Sequence, residues 1–380
     1  MPEALICGAV RTPVGTHKGA LAGVHSADLG AHVLKELMDR TGMDPAAVDD
    51  LIMGCVTQAG PQAGDVARTA WLSAGLPESV PAVTIDRQCG SSQQALHFAA
   101  QAVMSGTQDV VVAAGVENMG MVPIGTSRRA LQDKGLTSFG EGWLRRYGDQ
   151  EISQFRSAQL IAEKWGLTRA DLEQFAFESH RRALAANADG RLASQIAPLV
   201  GLTQDEGPRA NTSLEAMAAL PALREGYVIT AAVSSQMSVG AAALLVASEE
   251  AVERHNLTPI GRVHSMSVVG ADPIDMLTGP IPATEAVLKR GRLDLSDIDL
   301  FEVNEAFAPV VLAWASETGA SLERTNVNGG AIAVGHPLGA TGAILATRLL
   351  FELERTGGRY GLQTMCEGGG MANGTILERL

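Results

Sequence analysis

An α/β fold made of two similar halves is what the sequence predicts, on three observations. Strand-like and helix-like runs alternate along most of the 380 residues, the pattern of a sheet covered by helices. Two helical stretches with small and apolar residues on most sides, Ser91–Met104 and Ala340–Glu354, each follow a short polar turn, and each precedes a strand that runs into glycine. One turn–helix–strand unit is therefore used twice. Between the two units, residues 119–230 are more charged and lack strand alternation, as expected of an inserted, helical loop domain.

The elements follow in order. Strand-like runs begin at Ala4, Asp50, Val83, Asp109, Ala241, Gly261, Leu300 and Gly361, each short, apolar and bounded by turn residues. Helix periodicity covers Ser26–Arg40, Asp65–Ala74, Ser91–Met104, Glu249–His255, Thr284–Lys289, Ala306–Thr318 and Ala340–Glu354. Inside the insert it covers Ser157–Trp165 and Arg169–Asn187; the second opens on Thr168 and Asp171, an N-cap followed by a first-turn acid. Two domains or one large duplicated unit suit this length, with residues 1–250 as one half, 258–380 as the other, and the insert over about 119–230. Aromatics are only 4% and glycines number 42, so the core packs small residues closely.

The net charge of -13 argues against nucleic acid and anionic membranes as partners, since both need basic patches. It leaves room for an anionic small molecule met by a local cationic rim. The four cysteines, Cys7, Cys55, Cys89 and Cys366, show no CxxC or zinc spacing, which suits free thiols in a reducing compartment. No basic-then-apolar leader and no membrane-length apolar run is read, so the expected location is the cytoplasm.

Four segments could carry chemistry. Cys89 lies between strand and helix in Asp86-Arg-Gln-Cys-Gly-Ser-Ser92; a thiol there feels the positive end of a helix dipole, which favours thiolate. A buried structural cysteine is the alternative. His336 stands alone in a glycine-flanked stretch, Asn328–Gly342, with Pro337 suited to the first helical position. Cys366 ends a strand and enters Glu367-Gly-Gly-Gly-Met, whose N–H groups can face an anion; a plain turn is the alternative. A dinucleotide loop fits poorly, because only six residues follow Gly374. Asn304, in Phe301-Glu-Val-Asn-Glu-Ala-Phe307, ends a strand, either as a functional group or as a helix N-cap.

Together, DRQCGSS, VNEAF, GGAIAVGHPLGATGA and CEGGGMAN resemble the thiolase family in order and spacing, over essentially the whole chain. The likeness is to degradative 3-ketoacyl-CoA thiolases, and among those to actinobacterial forms linked to steroid breakdown. It implies a five-layer αβαβα fold of two similar halves and a homodimer or homotetramer. It implies acyl-CoA and free CoA as partners, CoA being a substrate with no cofactor bound permanently. Cys89 would become acylated, His336 would take its proton, and Cys366 would protonate the departing enolate. Asn304, through a water, would help His336 hold the enolate oxygen. The N–H groups of Cys89 and Gly368 would hold the tetrahedral oxygen. Ser235 would meet the pantetheine, with Arg209 or Arg224 available to the phosphates.

Several positions depart from the family pattern. Asp86 replaces Asn, Ser92 stands where many members have Gly, and Val233 and Val239 replace Asn and Asp. Glu151–Ser157 lacks the His-Met-Gly of short-chain biosynthetic members, so a changed, wider acyl pocket is expected. Two other readings compete. A ketoacyl synthase needs a second histidine where Asn304 stands. A non-catalytic acyl-CoA-binding scaffold is supported only by the two valines.

Overall fold

The computed structural model describes residues 2–380. Ten strands form: β1 (Leu5–Arg11), β2 (Gly15–Thr16), β3 (Asp50–Gly54), β4 (Ala82–Ile85), β5 (Val110–Asn118), β6 (Ser238–Ala247), β7 (Gly261–Gly270), β8 (Leu300–Val303), β9 (Tyr360–Glu367) and β10 (Met371–Arg379). Their order is β4-β3-β5-β6-β1-β7-β10-β9-β8, with β2 beside β6. The halves repeat one topology. β4, β3 and β5 pair in parallel, then β6 and β1 antiparallel; β8 and β9 pair in parallel, then β10 and β7 antiparallel. In the second half the counterpart of β4 is reduced to a bridge between Phe301 and Thr325. The sheets of the two halves pair where Leu5 and Ile6 meet Arg262 and Gly261.

Strand alternation builds the layers. On β5, Val110, Val112, Ala114 and Val116 face an outer core with Leu29, Leu34, Leu37 and Trp71 of the helices Ser26–Thr41 and Val66–Ser73. Val111 and Ala113 face inward, onto the helices Ser91–Met104 and Thr341–Thr356. In the second half Phe301, Val303, Leu362 and Ile376 meet Val287, Val311 and Trp314 of the outer helices Pro280–Gly291 and Ala308–Thr318. Helix, sheet, paired helices, sheet, helix is the five-layer αβαβα arrangement that the resemblance implied.

The paired central helices touch at their N-terminal ends. Ser92 Oγ accepts the Ala343 N–H at 2.9 Å, and a Cβ on Gly342 would lie 2.1 Å from the Gln93 nitrogen. The first helix reaches the second sheet by polar contacts: Gln93 Nε2 donates to Thr375 Oγ1 and His97 Nε2 meets the same oxygen, both at 2.7 Å. These buried partners explain how a helix carrying Gln93, Gln94 and His97 sits in the middle of the molecule.

The insert has no strand of its own. Its main helices are Gln154–Lys164 and Arg169–Ala188, and Thr168 and Asp171 form the reciprocal capping pair. The helix expected at Thr284–Lys289 begins earlier, at Pro280; prolines fit the first turn, where N–H groups lack helical partners. Pro337 departs from expectation: it flanks a short 3₁₀ turn, Leu338–Ala340, and the α-helix starts at Thr341. Among the described residues no helix is long and apolar enough to cross a membrane.

Candidate active site

Five of the six residues singled out in sequence lie where the two central helices meet the C-terminal ends of β8 and β9, and Ser235 lies alongside. Gln88, just before Cys89, takes a left-handed conformation with φ 50°, costly for a residue with a side chain. Asp86 holds the bend, its Oδ1 accepting Gln88 N–H at 2.6 Å and Nε2 at 3.0 Å. The Cys89 thiol accepts the backbone N–H groups of Cys89 and Gly368, so the Gly368 turn after β9 closes over this thiol. Cys366, on β9, is near enough for Cys89 to disfavour its ionisation.

His336 is fixed from three sides. Its N–H donates to Gln236 O at 3.1 Å and Ser238 Oγ at 3.2 Å. Gly335 before it has φ 113°, and a Cβ there would lie 2.1 Å from Ser238 Oγ, so only glycine serves. The ring contacts settle its tautomer. Thr341 Oγ1 donates its one proton to Pro337 O at 2.9 Å, and therefore accepts from His336 Nδ1 at 2.7 Å. Nε2 then carries the lone pair and meets Asn304 Nδ2 at 3.3 Å. Asn304 Oδ1 is buried with no hydrogen-bond partner among the described residues. The N-cap reading of Asn304 does not hold, because the next helix starts at Ala308 with Phe307 before it.

The two groups of residues share walls. Leu338, two residues past His336, clusters with Cys89, Met119, Leu345 and Met365. Ile332 and Phe307 cluster with Cys366. Asn304 N–H donates to Thr364 O on β9 at 3.1 Å. Glu305 ties the glycine stretch to the insert, accepting from Ile332 N at 3.1 Å and Ser179 Oγ at 2.7 Å.

Burial dominates the electrostatics. It pushes the Cys89 thiol up to about 12, with Glu367 adding to the shift and the two backbone N–H groups opposing it. It pushes Cys366 well above its ordinary value, Cys89 and Glu367 adding. It lowers His336 to about 4. The expectation of a resting thiolate at Cys89 is thus overturned: desolvation outweighs the helix end, and the resting site is thiol, neutral imidazole, thiol. A neutral imidazole with a bare Nε2 can accept a proton, and the paired N–H groups can hold an oxyanion.

The chain matches the model of the thiolase N-terminal domain over residues 4–250 and that of the thiolase C-terminal domain over residues 257–379. The chain belongs to the thiolase family. This thiolase is 57% identical to the steroid 3-ketoacyl-CoA thiolase FadA6 of Mycobacterium tuberculosis, covering all of this chain and 95% of the relative. It is 41% identical to a beta-ketoadipyl-CoA thiolase of Escherichia coli and 40% identical to a 3-ketoacyl-CoA thiolase of Enterobacter, over the full length of both. Membership fixes the general reaction, thiolase-type acyl transfer on CoA.

The departures from the family pattern have local explanations. Asp86 supplies the acceptor that pins Gln88, and Ser92 serves the second central helix. Val233 joins an apolar cluster with Ile229 and Phe307, and Val239 joins the outer core. Ser235 is half-buried, its N–H donating to Ala306 O at 3.0 Å, which sets it against the Asn304 loop. Arg224 is paired with Glu151. Arg209 donates its backbone N–H to His180 Nδ1 at 3.2 Å. Within Glu151–Ser157, Phe155 stacks edge-on against Phe307 at 5.6 Å.

Sequence reasoning missed Thr341, Glu117 and Glu367. Thr341 is signalled only by standing one helical turn beyond Pro337. The two glutamates are signalled by the duplication itself, since each stands near the C-terminal end of the strand that follows a central helix, β5 and β9.

Proposed function

We propose that this thiolase is an acyl-CoA:acetyl-CoA C-acyltransferase that cleaves 3-ketoacyl-CoA through an acyl-thioester on Cys89. The observation that carries the reading is the Cys89 thiol held by the N–H groups of Cys89 and Gly368, with Cys366 beside it. The Cys89 Sγ–C bond forms at the 3-keto carbon, and the thiol proton passes to His336 Nε2. The tetrahedral oxygen is held by the two N–H groups, each such donor typically worth about 10²–10³ in rate. The C2–C3 bond breaks, and Cys366 protonates the enolate to release acetyl-CoA. During that step the enolate oxygen is held by His336 and a water that Asn304 Oδ1 accepts. Fresh CoA then takes the acyl group, Cys366 accepting its thiol proton, and the departing Cys89 sulfur regains its own proton from His336. The reverse Claisen condensation uses the same groups.

The acyl group is assigned to the bulky, steroid-derived class, which the 57% identity to a steroid 3-ketoacyl-CoA thiolase supports. Ser235 is assigned to the pantetheine and the insert, about 119–230, to the remainder of CoA. Residues 1–250 and 258–380 are read as the two halves. The assembly is read as a homodimer or homotetramer; the unpaired edge strand β4, with Val83 42% exposed, supports a second copy, because exposed edges favour pairing. The location is assigned to the cytoplasm, a reading that the free buried thiols support.

Two variants test the roles. Cys89→Ala should abolish acyl-enzyme formation. Cys366→Ala should still form it from a simple acyl-CoA while losing carbon–carbon cleavage. Equal loss of both steps in Cys366→Ala would overturn the role given to Cys366.

A further inference from the structure

The duplication places one glutamate near the C-terminal end of the strand after each central helix, β5 and β9, and the two have opposite surroundings. Glu117, the last residue but one of β5, packs on Gly339, in the turn after His336, where a Cβ would lie 2.8 Å from Glu117 Oε2. It accepts four hydrogen bonds: Val56 N at 2.9 Å, Thr57 N at 3.1 Å, Gln62 Nε2 at 2.9 Å and Gly339 N at 3.0 Å. Glu367 ends β9 and packs on Gly90, next to the nucleophile, where a Cβ would lie 2.0 Å from Glu367 Oε1. It is 0% exposed, and neither carboxyl oxygen has a well-formed hydrogen bond among the described residues. One glutamate is anchored as an acceptor for the histidine turn. Its counterpart beside the cysteine turn meets only the Asn373 N–H, and that outside good hydrogen-bond geometry.

A bare buried carboxyl is costly, and a structural role is filled more cheaply by an apolar side chain. Around it stand Arg87 and Cys89 from the turn, Cys366 on its own strand and the Asn373 N–H of β10. Asp86 also bears on Cys89, from the exposed side of the turn. We propose that Glu367 is a positioning residue whose protonation state switches the nucleophile, permitting acylation of Cys89 when neutral and suppressing it when ionised. Burial raises this carboxyl to about 8, Arg87 opposing, so the switch lies in the working pH range. The inference depends on Cys89 being the nucleophile. During acylation the Sγ–C bond forms, the thiol proton goes to His336 Nε2, and CoA leaves as it regains that proton. Negative charge develops on sulfur and oxygen throughout, and an ionised Glu367 repels it.

The test is single-turnover acylation by acetyl-CoA, whose small acyl group makes pocket shape immaterial, followed by intact mass and mapping of the adduct. The wild-type rate should fall by about tenfold between about pH 7 and about pH 9, the effect of one unit of thiol pKa. In Glu367→Gln, which cannot ionise, the two rates should agree within about twofold. A wild-type rate that rises steadily with pH overturns the proposal without any variant, as does a variant that keeps the wild-type fall. In both cases an adduct on Cys89 would leave the nucleophile assignment standing. Absence of any Cys89 adduct at every pH would remove that assignment, and the proposal with it.

Discussion

A thiol that is to attack a carbonyl must lose its proton, and burial at Cys89 makes that loss costly before substrate arrives. The cost falls on His336, whose imidazole is held neutral by the same burial and aimed by Thr341. The Nδ1–H bond to Thr341 Oγ1 at 2.7 Å keeps the lone pair on Nε2, the atom that meets Asn304. Thr341→Val removes that acceptor at nearly constant volume. Acylation should slow by roughly tenfold or more as the ring loses its fixed tautomer, and Thr341→Ser should restore most of the rate. Equal acylation rates in wild type and Thr341→Val would remove the positioning role. Because His336 is lowered to about 4, the acid limb of the wild-type profile should lie well below the ordinary imidazole value of about 6.5. Below that limb the ring is protonated and can no longer accept the thiol proton.

At the scale of elements, the Cys89 turn and the His336 turn are each held by the opposite half. The turn after His336 belongs to the second half and hangs on Glu117 of the first; the Cys89 turn belongs to the first half and lies against Glu367 and Gly368 of the second. Neither half could order its own chemistry alone. Glu117→Ala would leave the N–H groups of Val56, Thr57 and Gly339 without their acceptor. Stability should drop by roughly 3–5 kcal/mol, read from urea unfolding against wild type. A drop below about 1 kcal/mol would mean that these donors find other partners and that the carboxylate is no anchor.

What the chain made legible follows the range of the interactions. The central helix Ser91–Met104 was readable to the residue, because it is local: a polar turn, small residues and no charge. The strand Met371–Arg379 was hidden by the glycine run before it, and is held by pairing with β7 and β9 rather than by its own pattern. At the site, Cys89, His336, Cys366 and Asn304 stand in short recognisable segments. Glu117 and Glu367 meet partners far along the chain, Glu117 reaching Gly339 and Glu367 reaching Gly90, whereas Thr341 contacts His336 and Pro337 within one or two turns and reads in sequence as an ordinary helix start. The resting charge state was misread for the same reason, since a helix end is visible in sequence and desolvation is not.

For the whole molecule, the layered duplication brings one reactive turn from each half to a common point, and the central claim is that an acyl group is carried there on Cys89. The most direct measurement is the intact mass of the wild-type protein after mixing with short, long and steroid-derived 3-ketoacyl-CoAs, with no free CoA present. The account predicts an added mass equal to substrate minus acetyl-CoA, mapped to Cys89 and greatest for a steroid-derived acyl group. Release of acetyl-CoA with no adduct on Cys89, or an adduct that persists in Cys89→Ala, would contradict it.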